Sequence, residues 1–285
     1  MDNNRQIAQT ERHPTPTLPA CARLPMNRCN LPAVILGSLT YQQHPVALEI
    51  DGIRDFHAGL FTTLDSLPDQ PTRAQRFMDY MTVRFLLEEP EEAGLMPGRQ
   101  RKSRVNANYL RLVRGWSFDS DGREGAVLKR WVESRFGLLA RHHAGSLLDH
   151  SGDAYQRYLL EGARGLYATN ALEAQLDLLY TYCQYELRRE QSAASHLRLY
   201  RGINRIDDHE ILGTCGAGRY RVLFNNLNSF TSHRERADEF GDYILMTRAP
   251  LPKVFFYNRL LPGMLRGEDE YVVIGGVYEV EISTI

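Results

Sequence analysis

The sequence predicts an α+β fold, with a mainly helical N-terminal region followed by a β-rich C-terminal core. Apolar residues recur at helical spacing through much of the first 190 or so residues. After His196 the texture changes to short runs rich in Val, Ile, Phe and Tyr, separated by Gly, Pro or Asn. At 285 residues and 43% apolar composition, the chain is long enough for one large domain or two modest ones with a real core.

From Pro71 to Glu89, Phe77, Met78, Met81, Phe85 and Leu86 fall near helical spacing, and acidic residues with Pro90 close the segment, so a helix is expected there. A second helix is expected from Gly122 to Phe136 and a third, broken or continuous, from Asp153 to Glu190. In the latter, Leu172, Leu176, Leu179, Tyr180 and Cys183 form one stripe. The expected strands are 197–202, 220–225, 229–232, 243–249, 253–258 and 270–283, with a short helical stretch between the third and fourth that carries Ala237 and Phe240. The layout is then a polar, proline-bearing tail over 1–18, a helical region over 19–190 and a β-rich core over 191–285, the last two separate or one continuous domain.

The formal net charge of −1, from 34 basic and 35 acidic residues, provides no basic field for nucleic acid, so no nucleic-acid partner is expected. Cys21, Cys29, Cys183 and Cys215 lack the paired spacing of a zinc site or a disulfide framework and read as reduced thiols. The N-terminus is the opposite of a secretory signal, and no apolar run approaches the roughly 18 residues that span a bilayer. A cytoplasmic protein with no membrane span is expected.

Three polar elements stand at strand edges in the C-terminal part: Tyr200-Arg201-Gly202, Ser229-Phe230-Thr231-Ser232 and Glu268-Asp269-Glu270. An arginine before a glycine can hold a diphosphate by paired hydrogen bonds while the glycine admits a close approach to the backbone. Glu268 and Glu270, two apart at the start of an apolar strand, should share one face. The three form a site if their strands converge.

These residues resemble the core of the arginine-specific mono-ADP-ribosyltransferases, which carry an Arg, a Ser-Thr-Ser and a Glu-x-Glu in this order. The likeness covers about the last 90 residues, with YVVIGG similar to that family's apolar strand after the glutamates. A narrower resemblance covers nearly the whole chain: residues 22–42, 104–138 (RVNANYLRLVRGWSFDSDGREGAVLKRWVESRFGL) and LYRGIN look like the dinitrogenase reductase ADP-ribosyltransferases of nitrogen-fixing bacteria. The resemblance implies a catalytic core of two packed sheets, NAD as substrate with no metal, and the nitrogenase iron protein as acceptor, inactivated by modification of one arginine. The helical region either docks the acceptor protein or a regulator such as a PII signalling protein, which the resemblance suggests, or simply covers the β core. The family's first serine falls at Phe230 if Thr231 and Ser232 are its last two residues, and at Ser229 if the register slips by one.

Under that resemblance Glu270 stabilises the positive charge that builds on the ribose as nicotinamide leaves, as a carboxylate does in glycoside hydrolysis. Glu268 holds the acceptor guanidinium and takes its proton. Arg201 anchors the phosphates or ribose of NAD, Gly202 bonds the nicotinamide amide through its backbone, and Ser229, Thr231 and Ser232 supply hydroxyls that brace Glu270. The stretch 258–267 reads either as a plain connection or as the loop that meets the acceptor, with Leu260, Leu261, Met264 and Leu265 offering apolar contact.

Other candidates are weaker. His142 and His143 are adjacent, with no third ligand at metal spacing. GTCGAG (213–218) lacks the ending of a phosphate loop and reads as a flexible turn. Cys21 and Cys29 read as core or surface thiols, and Trp116 and Trp131 as core anchors. Competing functions are an NAD glycohydrolase, an ADP-ribosylating toxin, and a non-catalytic module that binds NAD or a partner. The Glu268 and Glu270 pair speaks against the last, since a binder needs neither.

Overall fold

The computed structural model describes residues 17–87, 107–165, 171–206, 209–263 and 269–284. Most of the expected N-terminal tail lies outside these, and Leu18 at its end is buried. Short helices α1 (Ala33–Leu36), α2 (Leu39–Gln43), α3 (Ile53–Phe56) and α4 (Ala58–Asp65) lead into α5 (Gln70–Phe85). This last helix starts where Asp69 Oδ1 accepts the Thr72 backbone N–H at 2.8 Å, with Pro71 in the first turn. Then follow α6 (Tyr109–Phe118), α7 (Arg123–Phe136), α8 (Asp153–Gly165) and α9 (Ala171–Glu190). The expected helices correspond to α5, α7 and the pair α8 and α9; α6 was not foreseen.

Helix α9 is buried along most of its length, so its polar side chains must find partners inside the protein. Each ties it to a neighbour. Asp177 accepts from Arg135 at 2.7 and 2.9 Å and from the Trp131 indole at 2.7 Å, which fixes α7. Glu186 accepts from Arg73 of α5 at 2.8 and 2.7 Å. Gln175 brackets the start of α6, accepting from Tyr109 N and donating to Ala107 O, both at 3.0 Å. Gln184 donates to Leu251 O and Val254 O at 3.2 and 2.7 Å, which reaches the sheet.

Six strands form one antiparallel hydrogen-bonded network: β1 (His196–Ile203), β2 (Glu210–Gly216), β3 (Arg219–Thr231), β4 (Tyr243–Pro250), β5 (Val254–Tyr257) and β6 (Glu270–Thr284). The order is β2-β3-β1-β4-β6-β5, and an additional pairing of β3 with β6 closes a circuit through β1 and β4. The sheets are therefore continuous, where two packed sheets were expected. The run 220–225 and the run 229–232 up to Thr231 belong to one strand, and the start of GTCGAG belongs to β2, with Gly216 (φ 126°) and Gly218 (φ 71°) turning the hairpin into β3. The short helix α10 (Arg234–Asp238) connects β3 to β4.

Strand β6 reads as a near-continuous apolar run because both of its faces are covered: every residue from Tyr271 to Tyr278 is buried. The β3–β6 ladder breaks once, where Asn225 and Asn226 lie opposite Gly275, between the pairs Phe224↔Gly276 and Leu227↔Ile274. A Cβ at Gly275 would lie 1.7 Å from Asn225 O, so only glycine fits. Helices and sheet share one apolar core, in which Trp131 meets Phe255 at 4.8 Å between ring centroids.

Lys253 enters this core with no exposed surface. Its Nζ donates to Gly275 O at 2.7 Å and stands 4.7 Å from the Tyr278 ring centroid. Burial pushes the ammonium down from the usual lysine value to about 7. Between about pH 7 and the lysine range, the unfolded chain binds more protons than the folded one, so this group makes stability rise with pH there. Relative to the parent, Lys253→Met should be favoured most below about pH 7, and urea titrations should show that advantage shrinking by about 2 kcal/mol between about pH 7 and pH 9.

Candidate active site

The pairings Tyr200↔Thr231 and Thr231↔Glu270 bring the ends of β1, β3 and β6 together, so the three polar elements of the sequence converge. Ser229 is the hub. Its hydroxyl donates to Glu270 Oε1 at 2.6 Å, and its backbone carbonyl accepts from Arg201 Nη1 at 2.8 Å. Arg201 is partly covered, and its Nε is buried without a partner. Burial lowers its pKa, while the charges of Asp121 and Glu270 oppose that shift; a guanidinium keeps its proton throughout the physiological range.

The other hydroxyls have different tasks. Phe230, the alternative to Ser229, is 4% exposed and packs edge-on to Phe224. Thr231 Oγ1 accepts from the His233 backbone N–H at 3.2 Å, at the entry to α10. Ser232 hydrogen-bonds Asp269, which also faces His233 Nε2 at 3.2 Å. Of the three hydroxyls, only that of Ser229 meets Glu270. Gly202 has a structural reason beside its proposed one: a Cβ there would lie 2.0 Å from Ala237 O, so α10 packs directly on the β1 backbone.

The helical layer contributes residues that the sequence reading did not assign to the site. Trp116, 3% exposed, donates its indole N–H to Ser229 Oγ at 2.9 Å. The adjacent Ser117 donates to Glu270 Oε2 at 2.6 Å. Below Trp116 lies Lys129, 1% exposed, with Nζ 5.8 Å from the indole ring and 2.7 Å from Asp121 Oδ1. Lys129 also donates to His143 Nδ1 at 3.3 Å, which leaves Nε2–H to donate to Glu161 at 2.8 Å and defines a neutral imidazole. Burial lowers the pKa of His143, in the same direction as the Lys129 charge, and Glu161 and Asp121 oppose it. Among the described residues, no group of three His, Cys, Asp or Glu side chains is placed to hold a metal.

Some expected positions fall elsewhere. Glu268, Met264 and Leu265 lie outside the described residues. Leu260 and Leu261 were expected to offer apolar surface to an acceptor; both have no exposed area and anchor the end of β5 in the core, the destination that hydrophobic burial favours for adjacent leucines. Cys29 is buried, which pushes its thiol up to about 11 and makes it inert.

A carboxylate braced by a serine, beside a strand arginine and on a β core roofed by helices, is the constellation of the mono-ADP-ribosyltransferases. Comparison with known proteins narrows the class. The model of the dinitrogenase reductase ADP-ribosyltransferase (DRAT) family matches residues 26–282, and the chain belongs to this family. A curated relative from Rhodospirillum rubrum, named NAD(+)--dinitrogen-reductase ADP-D-ribosyltransferase, is 40% identical over 260 residues, covering 90% of this chain and 94% of its own. No solved structure matches the chain. Among the described residues, no helix is long and apolar enough to cross a membrane.

Because α10 rests on Gly202, the variant Gly202→Ala must push the helix away from β1. Overpacking of this kind costs about 1–3 kcal/mol. A calorimetric melting temperature lower by several degrees, together with weaker NAD binding by titration calorimetry, is the expected result; an unchanged melt would mean that α10 is free to shift.

Proposed function

We propose that the chain cleaves NAD between nicotinamide and ribose and transfers the ADP-ribose to an arginine of the nitrogenase iron protein, dinitrogenase reductase, switching off nitrogen fixation. The observation that carries this reading is the Glu270 carboxylate, held by hydroxyls at 2.6 Å beside Arg201, in a chain of the DRAT family. The name of the R. rubrum relative, which specifies NAD and dinitrogen reductase, supports the choice of both substrates. It mentions no PII protein, and regulation by one remains an expectation of the resemblance alone. Both substrates of this reading are cytoplasmic, and that is where the chain would act.

In this mechanism the glycosidic C–N bond breaks with its electron pair leaving on nicotinamide, and the ribose carbon becomes oxocarbenium-like. Glu270, fixed at both oxygens, bonds a ribose hydroxyl and stabilises the developing positive charge. Arg201 pairs with the phosphates, for which its planar cation is suited. The acceptor guanidinium must lose a proton as its nitrogen attacks, and Glu268, two residues before Glu270 in sequence, is the assigned base. Leu260 and Leu261 anchor the base of the 258–267 stretch, so acceptor contact is assigned to the part beyond them.

The test is transfer of labelled ADP-ribose from NAD onto purified nitrogenase iron protein. The parent should label it, and Glu270→Gln should lower the rate by about a hundredfold or more. Near-normal transfer by the variant would overturn the role of Glu270. Consumption of NAD by the parent without labelling of the iron protein would instead favour a glycohydrolase.

A further inference from the structure

We propose that Trp116 and Ser117, adjacent residues at the end of α6, are positioning residues for the reaction: they make the helical layer a working part of the site by fixing the carboxylate of Glu270 at both oxygens. The inference rests on the transferase reading above, and concerns residues that neither the Arg, Ser-Thr-Ser and Glu-x-Glu pattern nor any other strand element contains.

The geometry has a direction. An indole N–H only donates, so Ser229 Oγ must accept from Trp116, and its own proton is then turned toward Glu270 Oε1. Without the indole, the Ser229 hydroxyl could rotate its proton elsewhere. Ser117 supplies the second donor, to Oε2, from a separate layer of the molecule. Two donors on opposite oxygens stop rotation of the carboxylate about its last torsion, which a single one leaves soft.

The pair is itself firmly mounted. Trp116 is buried, with the Lys129 ammonium 5.8 Å from its ring, and that ammonium is locked by Asp121 at 2.7 Å. At the other end of α6, Tyr109 N and Ala107 O are clamped by Gln175 of α9. The last turn of α6 therefore cannot drift from β3 without breaking buried polar contacts. Ser117, by contrast, is exposed, so its side chain can respond to a bound substrate while its backbone is held.

Ser117→Ala, Ser117→Thr, Trp116→Phe, Ser229→Ala and the Trp116→Phe/Ser229→Ala pair, each checked for an unchanged circular dichroism spectrum and melting temperature, separate this role from a structural one. Both transfer to the iron protein and NAD hydrolysis by water would be measured, since both depend on Glu270. Ser117→Ala is expected to lower kcat about tenfold or more with the KM for NAD little altered, and Ser117→Thr to restore most of it. Trp116→Phe should lower kcat in the parent yet have little further effect when Ser229 is already alanine, because it acts through that hydroxyl. An active parent with unchanged kcat in Ser117→Ala, or independent and multiplicative losses in the Trp116 and Ser229 pair, overturns the inference. A parent with neither activity overturns the transferase reading, and this inference with it.

Discussion

Where β3 pairs with β6, the ladder runs from Arg219↔Glu281 to Thr231↔Glu270 and is interrupted only at Asn225 and Asn226, opposite Gly275. Glycine is compulsory at that point because the Asn225 carbonyl occupies the place of a side chain. The bulge matters beyond the sheet. Asn226 donates to Lys129 O and Leu138 O at 2.8 and 3.1 Å, and Asn225 accepts from Arg141 N and donates to His142 O, both at 2.9 Å. An irregularity that frees two amides from the ladder thus becomes the joint between sheet and helices. The register that pairs Thr231 with Glu270 and brings Ser229 within reach of its carboxylate, and the placement of α7 with its Lys129, are set by the same few residues.

Charge is arranged around that joint in layers. Lys129 and the neutral His143 lie buried beneath the site; from partly covered positions Asp121 offsets the Lys129 charge and Glu161 accepts the His143 N–H. Around the Ser229 hub stand Arg201 and Glu270, whose opposite charges interact although, among the described residues, no direct hydrogen bond joins them. Burial disfavours each cation, and the nearby carboxylates keep Lys129 and Arg201 from being isolated charges in an apolar interior. Arg201, with its Nε unpaired and its Nη1 committed to Ser229 O, is a cation held ready rather than spent on an internal salt bridge.

The sheet was legible in the sequence because its runs are β-branched and aromatic and its turns carry glycine or proline, and Arg201 and Glu270 stood out as charged residues at the ends of such runs. Two features were not legible. Trp116 read as a core anchor, which its burial agrees with; composition cannot reveal that a buried indole points its one donor at the Ser229 hydroxyl. Helix α6 itself carries Leu112, Val113 and Trp116 on its buried face, a signal that was present but too short to stand apart from its neighbours. For Leu260 and Leu261, placement in a connecting stretch implied exposure, whereas the physics of two adjacent leucines after an apolar strand favoured burial. The choice between Phe230 and Ser229 turned on strand register, which is fixed by the bulge and by partners distant in sequence.

The way Glu270 is held bears on why hydroxyls, and not the nearby guanidinium, were placed on it. A direct bidentate pair with Arg201 would fix the carboxylate equally well, but it would set a full positive charge against the oxygens that, in the proposed mechanism, face a ribose turning cationic. Hydroxyl donors at 2.6 Å restrain both oxygens and leave the net negative charge of the group in place. Arg201 is meanwhile diverted to the carbonyl of Ser229, near enough to orient the hub and free to meet an anion. One strand position therefore serves two electrostatic demands: its carbonyl occupies the cation, and its hydroxyl steadies the anion.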